Sequence, residues 1–359
     1  MLCGCFGTST ASKSVDDPKI MSQHLYTPPS NASSRWVLGL RAKALRAATG
    51  IAFGINYLAS PDAVPATSTE WIDAILGESK AKKAIRLDIY QPSNKEVEGS
   101  TRTDRPGMIV FHGGGFVLGS GTDDALWAAT ANDQLGAVVI AVSYRLAPEC
   151  PFPVPVEDCA SAILHVSANA ARYGIDPSQL VISGFSAGGN LAFSSNHLLH
   201  HASKWYYTLP TPLPRIRGIV AFYPLLDYSL PREAKRATCV KPEFTLPDSL
   251  TNLFDTSYLT PSLDLLDPRV SPSIASDELI DSLPPVHLVL CEYDMLHAEG
   301  LDFKKRLETR GNDVTCREVK GEKHGWDKPP PFAPKSSVVV EYTEALSVVK
   351  RWLSESQDQ

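Results

Sequence analysis

Leu180-Val-Ile-Ser-Gly-Phe-Ser-Ala-Gly-Gly189 is the segment that decides the fold of this 359-residue chain. The apolar run 180–182 leads into a Gly-x-Ser-x-Gly turn, and a helical pattern follows over residues 189–200. A strand, a sharp turn and a helix in this order form a nucleophile elbow, in which glycines leave room for the turn. Such an elbow exposes the Ser186 hydroxyl above the sheet, with the Ala187 amide at the helix N-terminus beneath it.

Apolar runs typical of strands, most of them buried on both faces, lie on either side of this elbow. They occupy residues 84–90, 108–111, 137–142, 180–182, 216–222, 286–290 and 314–319. Helical patterns separate them, at residues 123–135, 156–171, 189–200, 298–310 and 337–354. This alternation predicts an α/β fold with an open, mostly parallel, twisted sheet and helices on both faces.

The N-terminal part and one internal segment depart from this alternation. Residues 1–34 are rich in Ser, Thr, Pro and Lys, which predicts a disordered tail. Residues 36–57 have helical spacing, and we favour a helix packed on the protein over one lying on a membrane. Apolar residues within 71–76 suggest another short helix. The proline-rich segment 228–272, with a short helix near 250–259, predicts an excursion over the mouth of the site.

Composition and charge exclude several classes of function. A net charge of -6 argues against a nucleic-acid partner and against an anionic membrane surface. No apolar stretch is long enough for a membrane span and the N-terminus lacks a secretory signal, so we expect a cytoplasmic protein. The seven cysteines include no C-x-x-C pair, which favours reduced thiols over disulfides or a zinc site, although S-acylation of Cys3 and Cys5 is left open.

A run of three glycines, His112-Gly113-Gly114-Gly115-Phe116, directly follows the strand pattern 108–111. Consecutive glycines let backbone N–H groups approach a ligand closely, and fixed amides stabilise the oxyanion formed in acyl transfer. We therefore predict an oxyanion hole made by the amides of Gly113, Gly114, Gly115 and Ala187. The spacing fits no nucleotide-binding loop, although a plain tight turn is left open, and His112 is expected to be structural.

A serine nucleophile needs a base, and nine histidines are candidates. His324 lies in a loop after the last strand pattern, 314–319, at the sheet edge where reacting groups gather. The other eight lie in the tail, the glycine run, or helical and strand patterns, where histidines are usually structural. His324 is therefore the predicted base.

Asp294 follows the strand pattern that ends at Cys291, at the same predicted edge, and is the candidate to orient the imidazole. Glu292 is a rival, but it lies so close to the strand end that its side chain is expected to point elsewhere. A purely structural role, in which Asp294 caps the helix beginning near Leu296, is also left open. The chain order Ser186, Asp294, His324 is that of the α/β-hydrolases.

Four segments carry a family resemblance: His112–Phe116, Ser-Tyr-Arg-Leu-Ala-Pro-Glu at 143–149, Gly-Phe-Ser-Ala-Gly-Gly at 184–189, and Asp-Met-Leu-His-Ala-Glu at 294–299. With these motifs the chain resembles the hormone-sensitive-lipase-like branch of the α/β-hydrolases, the carboxylesterases and lipases of HGGG type. Asp267–Pro272 and His324-Gly-Trp326 add to the likeness, which spans most of residues 84–330. His297 and Ala298 depart from positions that are often charged in this branch.

The resemblance implies an α/β-hydrolase domain over residues 35–359. It also implies a helical cap, built from N-terminal helices in 35–80 and from the 228–272 excursion. Members hydrolyse carboxylic esters without a cofactor or metal, commonly with short or medium acyl chains, and some fungal members act on esters of secondary metabolites. Five residues are expected to line the substrate pocket, or else to be plain core: Phe116, Leu118, Tyr223, Leu225 and Trp326.

These observations predict a serine esterase that acts on a small-molecule ester through Ser186, His324 and Asp294 and an acyl-enzyme. An amidase, lactonase or transacylase would use the same three residues, and this alternative is left open. A non-catalytic receptor, such as the similar plant gibberellin receptor, is disfavoured because that lineage has lost the base histidine. A homodimer is also left open.

Overall fold

The computed structural model describes residues 25–30, 32–59, 64–92, 104–328 and 335–355. Within these ranges one sheet of eight strands runs in the order β1-β2-β4-β3-β5-β6-β7-β8. The strands are β1 (Ser68–Ala74), β2 (Ala81–Tyr90), β3 (Arg105–Phe111), β4 (Val138–Ser143), β5 (Ile175–Phe185), β6 (Ile216–Phe222), β7 (Val286–Cys291) and β8 (Val314–Val319). The pairs β1–β2 and β2–β4 are antiparallel and the other pairs are parallel. The predicted mostly parallel sheet is therefore confirmed.

Helices cover both faces of the sheet. In chain order they are α1 (Arg35–Ala59), α2 (Ala125–Leu135), α3 (Val154–Ala168), α4 (Ala170–Tyr173), α5 (Ala187–His200), α6 (Arg232–Ala237), α7 (Asp248–Tyr258), α8 (Asp277–Asp281), α9 (His297–Arg310) and α10 (Ser336–Ser354). One apolar core contains side chains of α3, α5 and α9, and a second contains those of α2 and α10. Burial between two helical layers explains why the central strands are nearly continuous in Val and Ile.

The prediction of a short helix at residues 71–76 is wrong, because this segment contains most of the edge strand β1. Trp71 pairs with Arg86 and Ile72 with Ile85 of β2. Ile72, Ala74 and Leu76 are buried whereas Trp71 is exposed, which is the alternation of a strand with one wet face. The apolar spacing of residues 71–76 fits a helix as well as a strand. The segment forms a strand because it pairs with the edge of β2.

Helix α1 is held on the body of the protein by two arginines. Arg35 donates to the backbone carbonyl of Pro148 at 2.6 Å, and Arg46 donates to those of Val117 and Ala147 at 2.8 and 2.6 Å. These contacts agree with a helix packed on the protein. None of the helices in the described ranges has the length and apolar character needed to cross a membrane.

The predicted tail, residues 1–34, lies mostly outside the described residues, and Cys3 and Cys5 lie outside them altogether. Within the described part, the Tyr26 amide donates to the Leu263 carbonyl at 2.7 Å, and the Tyr26 carbonyl accepts from Ser262 at 3.0 Å. Tyr26 is thereby attached to the 228–272 segment.

Candidate active site

The elbow at Ser186 joins the end of β5 to the start of α5. Ser186 has φ 54° and ψ -114°, a conformation that is strained for a residue with a side chain. A Cβ on Gly184 would lie 2.2 Å from the Gly188 carbonyl oxygen, and one on Gly188 would lie 1.9 Å from that of Phe111. Only glycine fits at these two positions, so the turn brings the serine to the C-terminal edge of the sheet.

Ser186, His324 and Asp294 form one hydrogen-bonded chain. His324 Nε2 lies 2.9 Å from Ser186 Oγ, and His324 Nδ1 lies 2.6 Å from Asp294 Oδ2. Asp294 is buried, and its second carboxylate oxygen accepts a hydrogen bond from the Leu296 amide at 3.1 Å. The carboxylate can therefore hold the Nδ1–H tautomer, which leaves Nε2 free to take the serine proton.

The rival carboxylate, Glu292, faces another part of the loop. Its Oε2 accepts a hydrogen bond from the Gly321 amide at 2.7 Å, and its Oε1 lies 3.7 Å from Lys320 Nζ. Glu292 thus holds the start of the loop that carries His324, whereas Asp294 contacts the imidazole. Asp294 also accepts a hydrogen bond from the Leu296 amide in the turn before α9, so one carboxylate makes both contacts considered for it from the sequence.

The glycine run lies beside Ser186. A Cβ on Gly113 would lie 3.5 Å from Ser186 Cβ, and Gly114 and Gly115 have φ values of 106° and 61°. Among the described residues, none of the backbone hydrogen bonds around this turn is donated by the Gly114 or Gly115 amide. Free N–H groups beside a hydroxyl nucleophile are the arrangement that binds an oxyanion.

His112 braces this run from below. Its ring is buried, stacks on Tyr144 at a centroid distance of 4.2 Å, and places Nδ1 2.7 Å from the Gly113 carbonyl oxygen. Burial lowers the pKa of His112, so the ring is uncharged at neutral pH. This geometry fits the structural role predicted for it.

The cavity at Ser186 has a volume of about 20 Å³, roughly the space that one water molecule requires. Residues of the body and of the 228–272 segment line it: Gly115, Ser186, Ala187, Leu225, Arg232, Leu246, Thr251, Phe254, Asp294, Met295, Leu296 and His324. A Cβ on Gly115 would lie 2.2 Å from the Phe254 ring, so this ring closes one side directly.

Four of the five predicted pocket residues are not among those that line this cavity, and only Leu225 is. Phe116 stacks on Tyr258 at 3.7 Å, and Trp326 packs edge-on against Tyr223 at 5.6 Å. Leu118 is also buried. The side chains of all four residues point into the core. The sequence spacing of loop residues does not reveal this direction.

Sequence reasoning missed Arg232, Leu246, Thr251 and Phe254, which lie in the 228–272 segment. The sequence placed that segment over the site, but no motif distinguished the residues that point inward. Their orientation depends on how α6 and α7 pack on the body.

A buried ion pair attaches α6 to the body. Lys235 pairs with Glu299, whose Oε1 also accepts a hydrogen bond from the Leu226 amide at 2.8 Å. Burial raises the pKa of Glu299 and lowers that of Lys235, although each charge partly offsets the shift of the other. Leu226 follows the cavity residue Leu225. The Lys235–Glu299 ion pair therefore connects the 228–272 segment to the wall of the cavity.

Comparisons with known proteins agree with this fold. A family model described as "alpha/beta hydrolase fold" matches residues 108–328. The arylacetamide deacetylase of Bos taurus is 30% identical, over 85% of this chain and 90% of that protein. The arylesterase of Saccharolobus solfataricus is 31% identical, over 74% of this chain and 82% of that protein. A solved Pyrobaculum calidifontis esterase has a TM-score of 0.71 and 27% identity, covering 90% of this chain and 97% of the esterase.

The chain therefore belongs to the α/β-hydrolase fold family. Within this family it is a carboxylic ester hydrolase of the hormone-sensitive-lipase-like branch, and its relatives and structural neighbours include several esterases.

Proposed function

We propose that this enzyme hydrolyses small to medium acyl esters through Ser186, His324 and Asp294, with a covalent acyl-enzyme. One observation carries the proposal: two hydrogen bonds, of 2.9 and 2.6 Å, join the three side chains where they line a single cavity. A serine, a base and an orienting carboxylate in contact are the arrangement that nucleophilic catalysis requires.

In the first half-reaction, His324 Nε2 takes the Ser186 proton while the serine oxygen attacks the ester carbonyl. The developing oxyanion is held by amides of the glycine run and the elbow: Gly113, Gly114, Gly115 and Ala187. His324 then gives its proton to the leaving alcohol, and the acyl group remains on Ser186.

In the second half-reaction, His324 removes a proton from water, which attacks the acyl-enzyme carbonyl. The same amides hold the second oxyanion, and Ser186 leaves with the proton that His324 returns. Asp294 keeps the imidazole in one tautomer throughout and stabilises its cation.

We further propose that helix α1 and residues 228–272 form a cap over the site, without β1, which is part of the central sheet. The cavity-lining side chains of Arg232, Leu246, Thr251 and Phe254 support this role for the second segment. The narrow cavity favours short acyl groups, and small esters of secondary metabolites belong to this substrate class.

A second activity, amide hydrolysis, is favoured by the similarity to arylacetamide deacetylases, whose name denotes an amide substrate. The same acyl-enzyme would form, with an amine as the leaving group. The ester proposal ranks first because an ester carbonyl is less stabilised by resonance than an amide carbonyl and is therefore attacked more readily.

The test is hydrolysis of p-nitrophenyl acetate and butyrate by Ser186→Ala. We expect kcat to fall by at least ~1,000-fold. Ser195→Ala is the matched control: it removes a buried hydroxyl of α5, the helix that follows Ser186, where Ser195 donates to the Leu191 carbonyl at 2.6 Å. Retained turnover in Ser186→Ala would remove this serine from the reaction.

A substrate panel separates the two activities. It contains p-nitrophenyl esters of increasing acyl length, a lactone, an aryl ester and an arylacetamide. We expect kcat/KM to be greatest for short acyl esters. A higher kcat/KM for the arylacetamide would make amide hydrolysis the main activity.

A further inference from the structure

Tyr223 connects the three segments that carry Ser186, Asp294 and His324. It directly follows Phe222, the last residue of β6, whose carbonyl accepts a hydrogen bond from the Ser186 amide at 2.9 Å. Its own amide donates to the Val289 carbonyl of β7 at 2.6 Å. Its φ of 37° is unusual for an aromatic residue, and backbone strain of this kind is concentrated at functional sites.

The Tyr223 ring packs against the His324 imidazole. The two ring centroids are 4.7 Å apart, with an angle of 62° between the planes. Tyr223 is buried and does not line the cavity, so its ring supports the imidazole from the protein side.

The Tyr223 hydroxyl is anchored on the loop that carries His324. It donates to Asp327 Oδ1 at 2.5 Å, while the Tyr342 hydroxyl donates to Asp327 Oδ2 at 2.6 Å. Lys328 Nζ lies 2.6 Å from the same Asp327 oxygen and 2.8 Å from Asp124. Two tyrosines and a lysine thus fix the position of one buried carboxylate.

Asp327 is an ionised anchor. Burial alone would raise the pKa of this carboxyl, but Lys328 and the two tyrosine hydroxyls outweigh that effect and hold it below its usual value. The Tyr223 hydroxyl therefore donates to a charged acceptor, the stronger class of hydrogen bond.

We propose that Tyr223 is a positioning residue for the base: its anchored ring holds the His324 imidazole at the distance that transfers the Ser186 proton. This inference rests on the proposed function. Because His324 acts in both half-reactions, loosening it slows acylation and deacylation together. When both rates fall in proportion and the substrate dissociates faster than it acylates Ser186, kcat falls and KM does not change.

The test compares Tyr223→Phe with Tyr342→Phe. Each variant removes one hydroxyl from Asp327, but only Tyr223 packs on His324. We expect both to lower the thermal midpoint by a similar amount. Only Tyr223→Phe should lower kcat, by roughly tenfold, with KM for p-nitrophenyl butyrate unchanged.

Proton NMR gives a readout that a purely structural role would not change. The proton between His324 Nδ1 and Asp294 should give a low-field signal in the wild type and in Tyr342→Phe. We expect this signal to shift or broaden in Tyr223→Phe. Unchanged kcat and signal in that variant, or equal losses of kcat in both variants, would overturn the proposal.

Asp327→Asn weakens the hydrogen bond to the Tyr223 hydroxyl by removing the charge of its acceptor. This variant tests the proposal if Tyr223→Phe does not fold. Lower kcat at unchanged KM would support the positioning role, and wild-type kcat would overturn it. Failure of the proposed function is separate, because it would appear as activity retained by Ser186→Ala.

Discussion

Asp294 and Glu292 lie two residues apart after β7, yet only one contacts His324. Asp294 Oδ2 lies 2.6 Å from the imidazole, whereas Glu292 accepts from the Gly321 amide. At this scale the direction of a single side chain decides which carboxylate can orient the base.

Asp294→Asn should lower kcat by about 10⁴-fold, because the amide no longer favours the required tautomer of His324. Glu292→Gln is the control, since its amide oxygen can still accept from Gly321, and its activity should remain within a few-fold of the wild type. Steady-state hydrolysis of p-nitrophenyl acetate measures both variants. Equal losses would contradict the assignment of Asp294.

At the scale of elements, α7 decides how much space the site offers. Phe254 lies directly over Gly115, whereas the neighbouring residue Leu253 is buried but does not line the cavity. The helix therefore presents the Phe254 ring to the cavity and other side chains, such as Leu253, to the core.

Phe254→Ala should shift the acyl-length preference towards longer chains, because truncation enlarges the cavity beside Ser186. Leu253→Ala in the same helix is the control. Both should lose about 2–5 kcal/mol of stability, but only Phe254→Ala should raise the ratio of kcat/KM for octanoate to that for acetate. An unchanged ratio would show that this ring does not limit the acyl group.

At the scale of the whole molecule, burial of three histidines couples stability to pH. Burial lowers the pKa of His197 to about 3 and that of His287 to about 4, and it also lowers that of His112. In the unfolded chain these groups bind protons near pH 6.5. The unfolded state thus binds more protons on acidification, so stability is present above about pH 6.5 and is lost as the pH falls.

Between pH 7.5 and 5.0, His197 and His287 should each reduce the free energy of unfolding by about 2 kcal/mol. His287→Gln should reduce this pH dependence, because glutamine does not titrate. Its amide can still bond to Thr315, which lies 2.8 Å from His287 Nδ1. Urea denaturation at the two pH values measures the effect. If the free energy of unfolding of His287→Gln fell with pH as much as that of the wild type, the role of His287 in the pH dependence would be contradicted.

The sequence by itself determined the α/β class, and its motifs predicted that Ser186, Asp294 and His324 would meet at one edge of the sheet. Only glycine fits at positions 184 and 188 of the turn, so the local Gly-x-Ser-x-Gly motif is enough to predict the elbow. Parallel strands bring their carboxyl ends to one edge, so the positions of the other two residues follow from where strand patterns end.

Only the tertiary structure decided β1, the lining of the cavity and the contacts of Tyr223. Residues 71–76 fit two periodicities, and pairing with β2 selected the strand. Phe254 reaches Gly115, and Tyr223 reaches Asp327, across more than 100 residues of chain. Such contacts depend on the packing of distant elements and on side-chain direction, which local spacing does not encode.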